Sequence, residues 1–198
     1  MFNDFNTFVL VYLNWLSDNE IIKNIALILA DLPIFFLPLF LIIWWIIFTF
    51  KNKENKKDNL LLIFYSICTW VLINYIVKFF VDVERPETVL ESKWNLILEH
   101  VPDKSFPSDH STVTFAFLSS LYLFGFKKTF AIFLPFWILM NLSRIIAWVH
   151  WPLDIIAWII IWITSALIIS KFQNQLNKIS NILKKLDFVL YIKKLIIK

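Results

Sequence analysis

The chain has 198 residues, 59% of them apolar and 18% aromatic, a profile that excludes a soluble globular enzyme and marks an integral membrane protein. One glycine excludes dinucleotide fingerprints and phosphate-cradling glycine loops, and one cysteine, Cys68, excludes a disulfide framework and paired-thiol metal or redox sites. The net charge of +4 stands beside no nucleic-acid motif, so it is assigned to membrane orientation and no nucleic-acid partner is expected.

No lysine or arginine precedes Lys23, so the opening lacks the basic start of a cleavable signal peptide and the first membrane helix is expected to direct insertion. Phe8 to Leu16 is too short to cross and bears Tyr12 and Trp15, which predicts an interfacial helix on the outer surface. Ile21 to Phe50, interrupted only by Lys23 and Asp31, predicts the first span, and the 19 uncharged residues from Asn59 to Val77 the second. Cys68 falls in that second run and is expected as a small buried hydrophobe. Three shorter runs follow: Ser111 to Phe126 (16 residues), Thr129 to Ser143 (15) and Ile155 to Ser170 (16). Each reaches the roughly 20 residues of a span if its helix continues through the charged cluster at its end.

The expected fold is all-α: a polytopic membrane bundle of about five spanning helices within residues 1–170, with the interfacial helix before it. Residues 171–198 form a separate tail in which Leu176, Ile179, Leu183, Leu186 and Leu190 recur at helical spacing among lysines. That pattern suits a basic amphipathic helix on an anionic inner leaflet, with a solvated dimerising extension as the alternative. Four lysines between Lys51 and Asp58, the pair Lys127-Lys128 and seven lysines after Ser170 all belong in the cytoplasm by the positive-inside rule. Five spans put them on one side and send Arg85, Ser108, His110, His150 and Asp154 to the periplasmic or extracellular face of the cytoplasmic membrane.

Those outward residues carry the chemistry. Lys78 and Arg85 are seven apart, two helical turns, and share a face if the second helix continues that far, although Pro86 discourages helix at Arg85. A guanidinium offers a planar fork for two phosphate oxygens and an ammonium adds a compact charge; the alternative for the pair is interfacial anchoring. Pro107-Ser108-Asp109-His110 reads as a helix start with Ser108 at or near the cap, which presents backbone amides to an anion and puts His110 in the first turn. His150 and Asp154 are four apart, so one helical turn would let the carboxylate hold one ring nitrogen and leave the other with its lone pair. Arg144, at the outer end of the fourth span, can reach the same anion; an outer-surface ion-pair cluster is the alternative for these three. Asp31, Asp82 and Glu84 are expected only to pair with nearby cations.

In order and spacing, Lys78 to Arg85-Pro86, then Pro107-Ser108-x-His110, then Ser143-Arg144 with His150 and Asp154, the chain resembles the type-2 phosphatidic acid phosphatase superfamily over residues 78 to 154. The resemblance implies that His150 is the nucleophile and forms a phosphohistidine, that Asp154 orients it, and that His110 protonates the leaving oxygen. Lys78, Arg85, Ser108 and Arg144 would hold the phosphoryl group, without metal or other cofactor. Asp109 stands where that family usually has glycine; only its backbone amide need face the phosphate, while its side chain points elsewhere. The strings Ser105-Phe106-Pro107-Ser108-Asp109-His110 and Val149-His150-Trp151-Pro152-Leu153-Asp154 resemble the bacterial undecaprenyl-diphosphatase branch of the bacitracin-resistance type. That branch implies hydrolysis of a polyprenyl diphosphate to recycle the peptidoglycan carrier lipid, with the chain of the lipid against Trp148, Trp151 and the loop from Trp94 to Leu98. Dephosphorylation of another lipid, phosphate transfer to a lipid acceptor, and non-catalytic binding or transport remain as alternatives.

Overall fold

The computed structural model describes residues 4–90, 97–98 and 104–157, together with 168, 171, 172, 174, 175 and 178. Its elements are α1 (Asp4–Trp15), a 3-10 turn (Leu16–Asp18), α2 (Glu20–Phe50), α3 (Glu54–Phe80), the single turn α4 (Pro86–Val89), α5 (Asp109–Leu123), α6 (Lys127–Ile146) and α7 (152–157). No strand occurs among the described residues, so the all-α expectation holds.

The apolar runs become helices at nearly the expected bounds. α2 starts where the Asn19 side chain accepts the amides of Ile21 (2.9 Å) and Ile22 (3.3 Å), satisfying donors that have no partner inside the helix. It then bends by 50° between Glu20–Asp31 and Ile34–Phe50, around Pro33, which has no N–H to give to the preceding turn. α3 and α6 are each long and apolar enough to cross a bilayer, and the two arms of α2 make a third span if counted together. α5, with 15 residues, is shorter than a full crossing. Most of the expected fifth span and of the basic tail lies outside the described residues.

α5 packs against α3 and α6 with five buried serines and threonines beside its larger apolar side chains, and several of those hydroxyls are satisfied within the helix. Thr114 donates to the His110 carbonyl (2.5 Å), Ser119 to Phe115 (2.7 Å) and Ser120 to Ala116 (2.7 Å). The core then closes between Leu60, Ile63, Ile67 and Trp70 of α3, Phe117, Leu118 and Leu121 of α5, and Trp137 and Met140 of α6. Cys68 is exposed rather than buried, so it lies on the outward side of α3, the side a surrounding bilayer would touch.

α1 is amphipathic. Leu10 is fully buried with Ile145, Trp148, Trp151 and Ile155, while Phe5, Phe8, Tyr12 and Trp15 face outward. Asn14 donates to the Ile146 carbonyl (2.7 Å) and Asn6 accepts the Leu153 amide (3.1 Å), so α1 braces the segment that follows α6.

The two ends of the bundle are chemically distinct. At one end Asn59 donates to the Phe124 carbonyl (2.8 Å) and Lys56 reaches the Gly125 carbonyl (3.5 Å), which gathers the lysine loop and the α5–α6 turn. Lys78, His110 and Arg144 sit at the other end of the helices that carry them, and Arg85 lies in the segment that follows α3.

Candidate active site

The turn after α6 is set by an unusual backbone. Trp148 has φ 68°, a left-handed conformation that costs a residue with a Cβ about 1–2 kcal/mol. It occupies the position that commonly ends a helix in this geometry: the Val149 amide returns to the Arg144 carbonyl (3.2 Å) and the Trp148 amide to Ile145 (3.0 Å). Burial of its indole against Leu10 and Trp151 offsets the strain. The chain reverses there and brings His150 back beneath Arg144.

His150 is buried, 1% exposed, between two cations. Its Nε2 lies 3.4 Å from Nη1 of Arg85 and 3.3 Å from Nη2 of Arg144. Its Nδ1 lies 3.4 Å from both the Asp154 carboxylate and the Ser105 hydroxyl, and Ser105 donates to that same carboxylate. His150 is not in a helical turn with Asp154, as the spacing suggested; it precedes α7. The carboxylate reaches it because Asp154 is the third residue of α7 and folds back to accept the Trp151 amide (2.9 Å), half of a capping box.

Arg85 likewise does not share a helix face with Lys78. α3 ends at Phe80, and Arg85 lies in extended backbone (ψ 154°) ahead of α4, because the residue before a proline is pushed out of the helical region. The segment 81–85 is fastened on both sides, by the Ser105 amide on the Val83 carbonyl (2.7 Å) and the Trp151 indole on the Glu84 carbonyl (2.8 Å). So held, Arg85 donates to the Val149 carbonyl (2.7 Å) and flanks His150.

Ser108 caps α5, its hydroxyl accepting the Ser111 amide at 3.4 Å, as its place in the sequence suggested. Asp109 takes Lys78 (2.9 Å) and Asn74 (2.5 Å) on its two oxygens, and Asn74 in turn accepts the Thr112 hydroxyl (2.7 Å). The side chain of Asp109 is therefore engaged by the lysine of α3 and by Asn74. His110, in the first turn of α5, places Nε2 3.0 Å from Asp31, and Asp31 also accepts Arg144 Nη1 at 2.5 Å. Buried guanidiniums are costly unless compensated, and here two carboxylates, Asp31 and Asp154, sit within the same network as Arg85 and Arg144.

The arrangement joins Arg85, Arg144, His150 and Asp154 directly and His110 through Asp31. Lys78, Ser108 and Asp109 form an adjoining cluster on α3 and α5. Three contributors were not singled out from the sequence as site residues: Ser105, Asn74 and Asp31. Ser105 stands in the quoted string but has no spacing signal of its own, and Asp31 was assigned a purely structural pairing. Asp82 does pair with Lys104 (3.6 Å), as expected. Trp148 and Trp151, expected to face a lipid chain, are instead 2% and 1% exposed and form the wall behind His150; Trp94 lies outside the described residues. Among the described residues no three of His, Cys, Asp and Glu converge as a metal site.

A buried imidazole between two guanidiniums, backed by a carboxylate, is set at one end of an all-helical membrane bundle, an arrangement suited to holding a phosphate. Residues 59–178 match the PAP2 superfamily, and the chain belongs to it. Among relatives, it is 28% identical over 172 residues to the bacitracin transport permease protein BcrC of Bacillus licheniformis, covering 85% of this chain and 80% of that one. It is 26% identical over 162 residues to the undecaprenyl-diphosphatase BcrC of Bacillus subtilis (strain 168), covering 80% and 79%. Among solved structures it resembles LpxE of Aquifex aeolicus, with a TM-score of 0.60, 25% identity, and coverage of 85% of this chain and 96% of that one.

Proposed function

We propose that the protein hydrolyses undecaprenyl diphosphate to undecaprenyl phosphate and phosphate, on the outer face of a bacterial cytoplasmic membrane, through a phosphohistidine. The observation that carries the proposal is His150 Nε2, flanked by Arg85 and Arg144 at 3.4 and 3.3 Å with Asp154 behind the other ring nitrogen. A carboxylate on Nδ1–H fixes the tautomer and leaves the Nε2 lone pair to attack phosphorus. The two guanidinium forks are aimed where the equatorial oxygens develop charge, so positioning and electrostatics supply most of the acceleration. Lys78, Ser108 and the amide of Asp109 complete the anion's surroundings. As the anhydride P–O bond breaks, His110 gives its proton to the leaving oxygen; water then attacks the phosphohistidine with the neutral ring as base.

The relative named undecaprenyl-diphosphatase supports the diphosphate substrate. An apolar groove of about 310 Å³ supports a long lipid chain: Phe36, Phe40, Trp44, Phe117, Phe133 and Trp137 line it, on the same three helices that carry Asp31, His110 and Arg144. The lysines gathered at the far end support an outward site.

The other relative is named for transport, which favours a second reading, binding or transport without turnover. One assay separates them: purified protein in detergent with EDTA is offered undecaprenyl diphosphate, phosphatidic acid and phosphatidylglycerophosphate, and free phosphate is measured. Fastest release from undecaprenyl diphosphate, lost in His150→Ala with lipid binding retained, is the expected result. Preference for another lipid overturns the substrate, loss of release on chelation overturns the metal-free mechanism, and full release by His150→Ala overturns the nucleophile.

A further inference from the structure

Asp31 lies in α2, outside the 59–178 segment that matches the superfamily and far in sequence from the residues that carry the resemblance. One of its carboxylate oxygens serves two partners, His110 Nε2 at 3.0 Å and Arg144 Nη1 at 2.5 Å. The same Arg144 nitrogen donates to the Ala30 carbonyl (3.1 Å), while Nη2 approaches His150. Both contacts fall at the end of the first arm of α2, where the helix bends by 50° directly after Asp31. A counter-ion for buried Arg144 would need only the arginine contact. The histidine contact on the same oxygen is additional, and it links the two rings in one chain, His110–Asp31–Arg144–His150.

We infer that Asp31 is a positioning residue for the proton transfers, holding His110 by Nε2 so that Nδ1 exchanges the proton with the leaving group and then with water. The inference rests on the proposed histidine mechanism. In the first step the N–P bond to His150 forms, the P–O bond to the leaving group breaks, and the Nδ1 proton of the His110 imidazolium passes to the departing oxygen. In the second, water oxygen bonds phosphorus, the N–P bond breaks, and a water proton returns to Nδ1. Throughout, Nε2–H stays on Asp31.

A purely structural role and a proton-positioning role differ in their dependence on the leaving group. An alkoxide must be protonated as it departs, whereas 4-nitrophenolate leaves without help, and a general acid contributes about 10²- to 10⁴-fold. Asp31→Asn, which preserves size, is compared with wild type on phosphatidic acid and on 4-nitrophenyl phosphate. Both rates are expected to fall through Arg144, and the phosphatidic acid rate about tenfold or more beyond the other. In a His110→Gln background the same substitution is expected to remove that excess, since two residues acting as a unit are not additive. Asp31→Glu, which keeps the carboxylate, is expected to recover part of the excess. Equal losses on both substrates, no loss on either, or an undiminished excess without His110 overturns the assignment. A wild type that cleaves these esters but not undecaprenyl diphosphate overturns the substrate instead and leaves Asp31 standing.

Discussion

The two ends of this bundle reverse the chain by the same device and use it for opposite purposes. At the lysine-rich end α5 stops at Gly125, the one glycine, with φ 81° and the Phe126 amide on the Leu121 carbonyl (2.8 Å). At the other end α6 stops at Trp148 with φ 68°. Glycine adopts that backbone freely and tryptophan does not, so of these two turns the strain sits in the one that delivers His150. Charge follows the same division. Lys56 lies 4.7 Å over the Phe126 ring and Lys57 4.6 Å over Trp45, each cation resting on an aromatic face. Arg85 and Arg144 instead crowd one imidazole. The first end rests its cations on aromatic faces, and the second gathers two of them around His150.

Substitutions test that division, and the largest effect belongs to the imidazole. His150→Ala is expected to lower phosphate release by roughly 10³-fold or more, while Lys127→Gln with Lys128→Gln leaves it within about twofold. Comparable losses from both would erase the distinction between the ends. Arg144→Lys keeps the charge but removes the fork that spans Asp31 and His150, and about 10²-fold in kcat is expected to go with it. Ser105→Ala removes one neutral donor behind Asp154, worth about 1 kcal/mol or roughly fivefold in kcat, with KM little changed. The turns give the smallest activity effects and a stability contrast. Gly125→Ala is expected to cost about 1 kcal/mol by thermal or denaturant unfolding with activity unchanged, since a Cβ there meets only the end of Lys56 at 4.0 Å. Trp148→Gly relieves the backbone but forfeits a buried indole, for a net loss of about 2 kcal/mol, and it loosens His150 as well.

Much of this is legible from residue order because each long helix follows from an apolar run, and because the charges from Lys78 to Asp154 recur at spacings that polar groups in a bilayer rarely show without cause. The bounds of α2 and α6 and the cap at Ser108 come directly from those patterns. What the sequence does not show is how non-helical backbone places side chains. The spacing of Lys78 and Arg85 suggests one helix face, but Pro86 and two long-range bonds hold Arg85 in an extended segment. His150 and Asp154 look like an i,i+4 pair, yet they meet through a cap. Asp31 looks like an isolated acid at the edge of a span, because its importance depends on a bend that carries it to residues 79 and 113 positions away. Trp148 and Trp151 look like a surface for the lipid chain, and only packing by Leu10 reveals them as a buried wall.

α5 has one further consequence, for biogenesis. At 15 residues, lined with serines and threonines, it offers an insertion apparatus too little grease to be committed to the bilayer by itself. A hairpin with α6, through the Gly125 turn, would supply the missing apolar length, and His110 is then expected to reach its depth only after Arg144 has been synthesised.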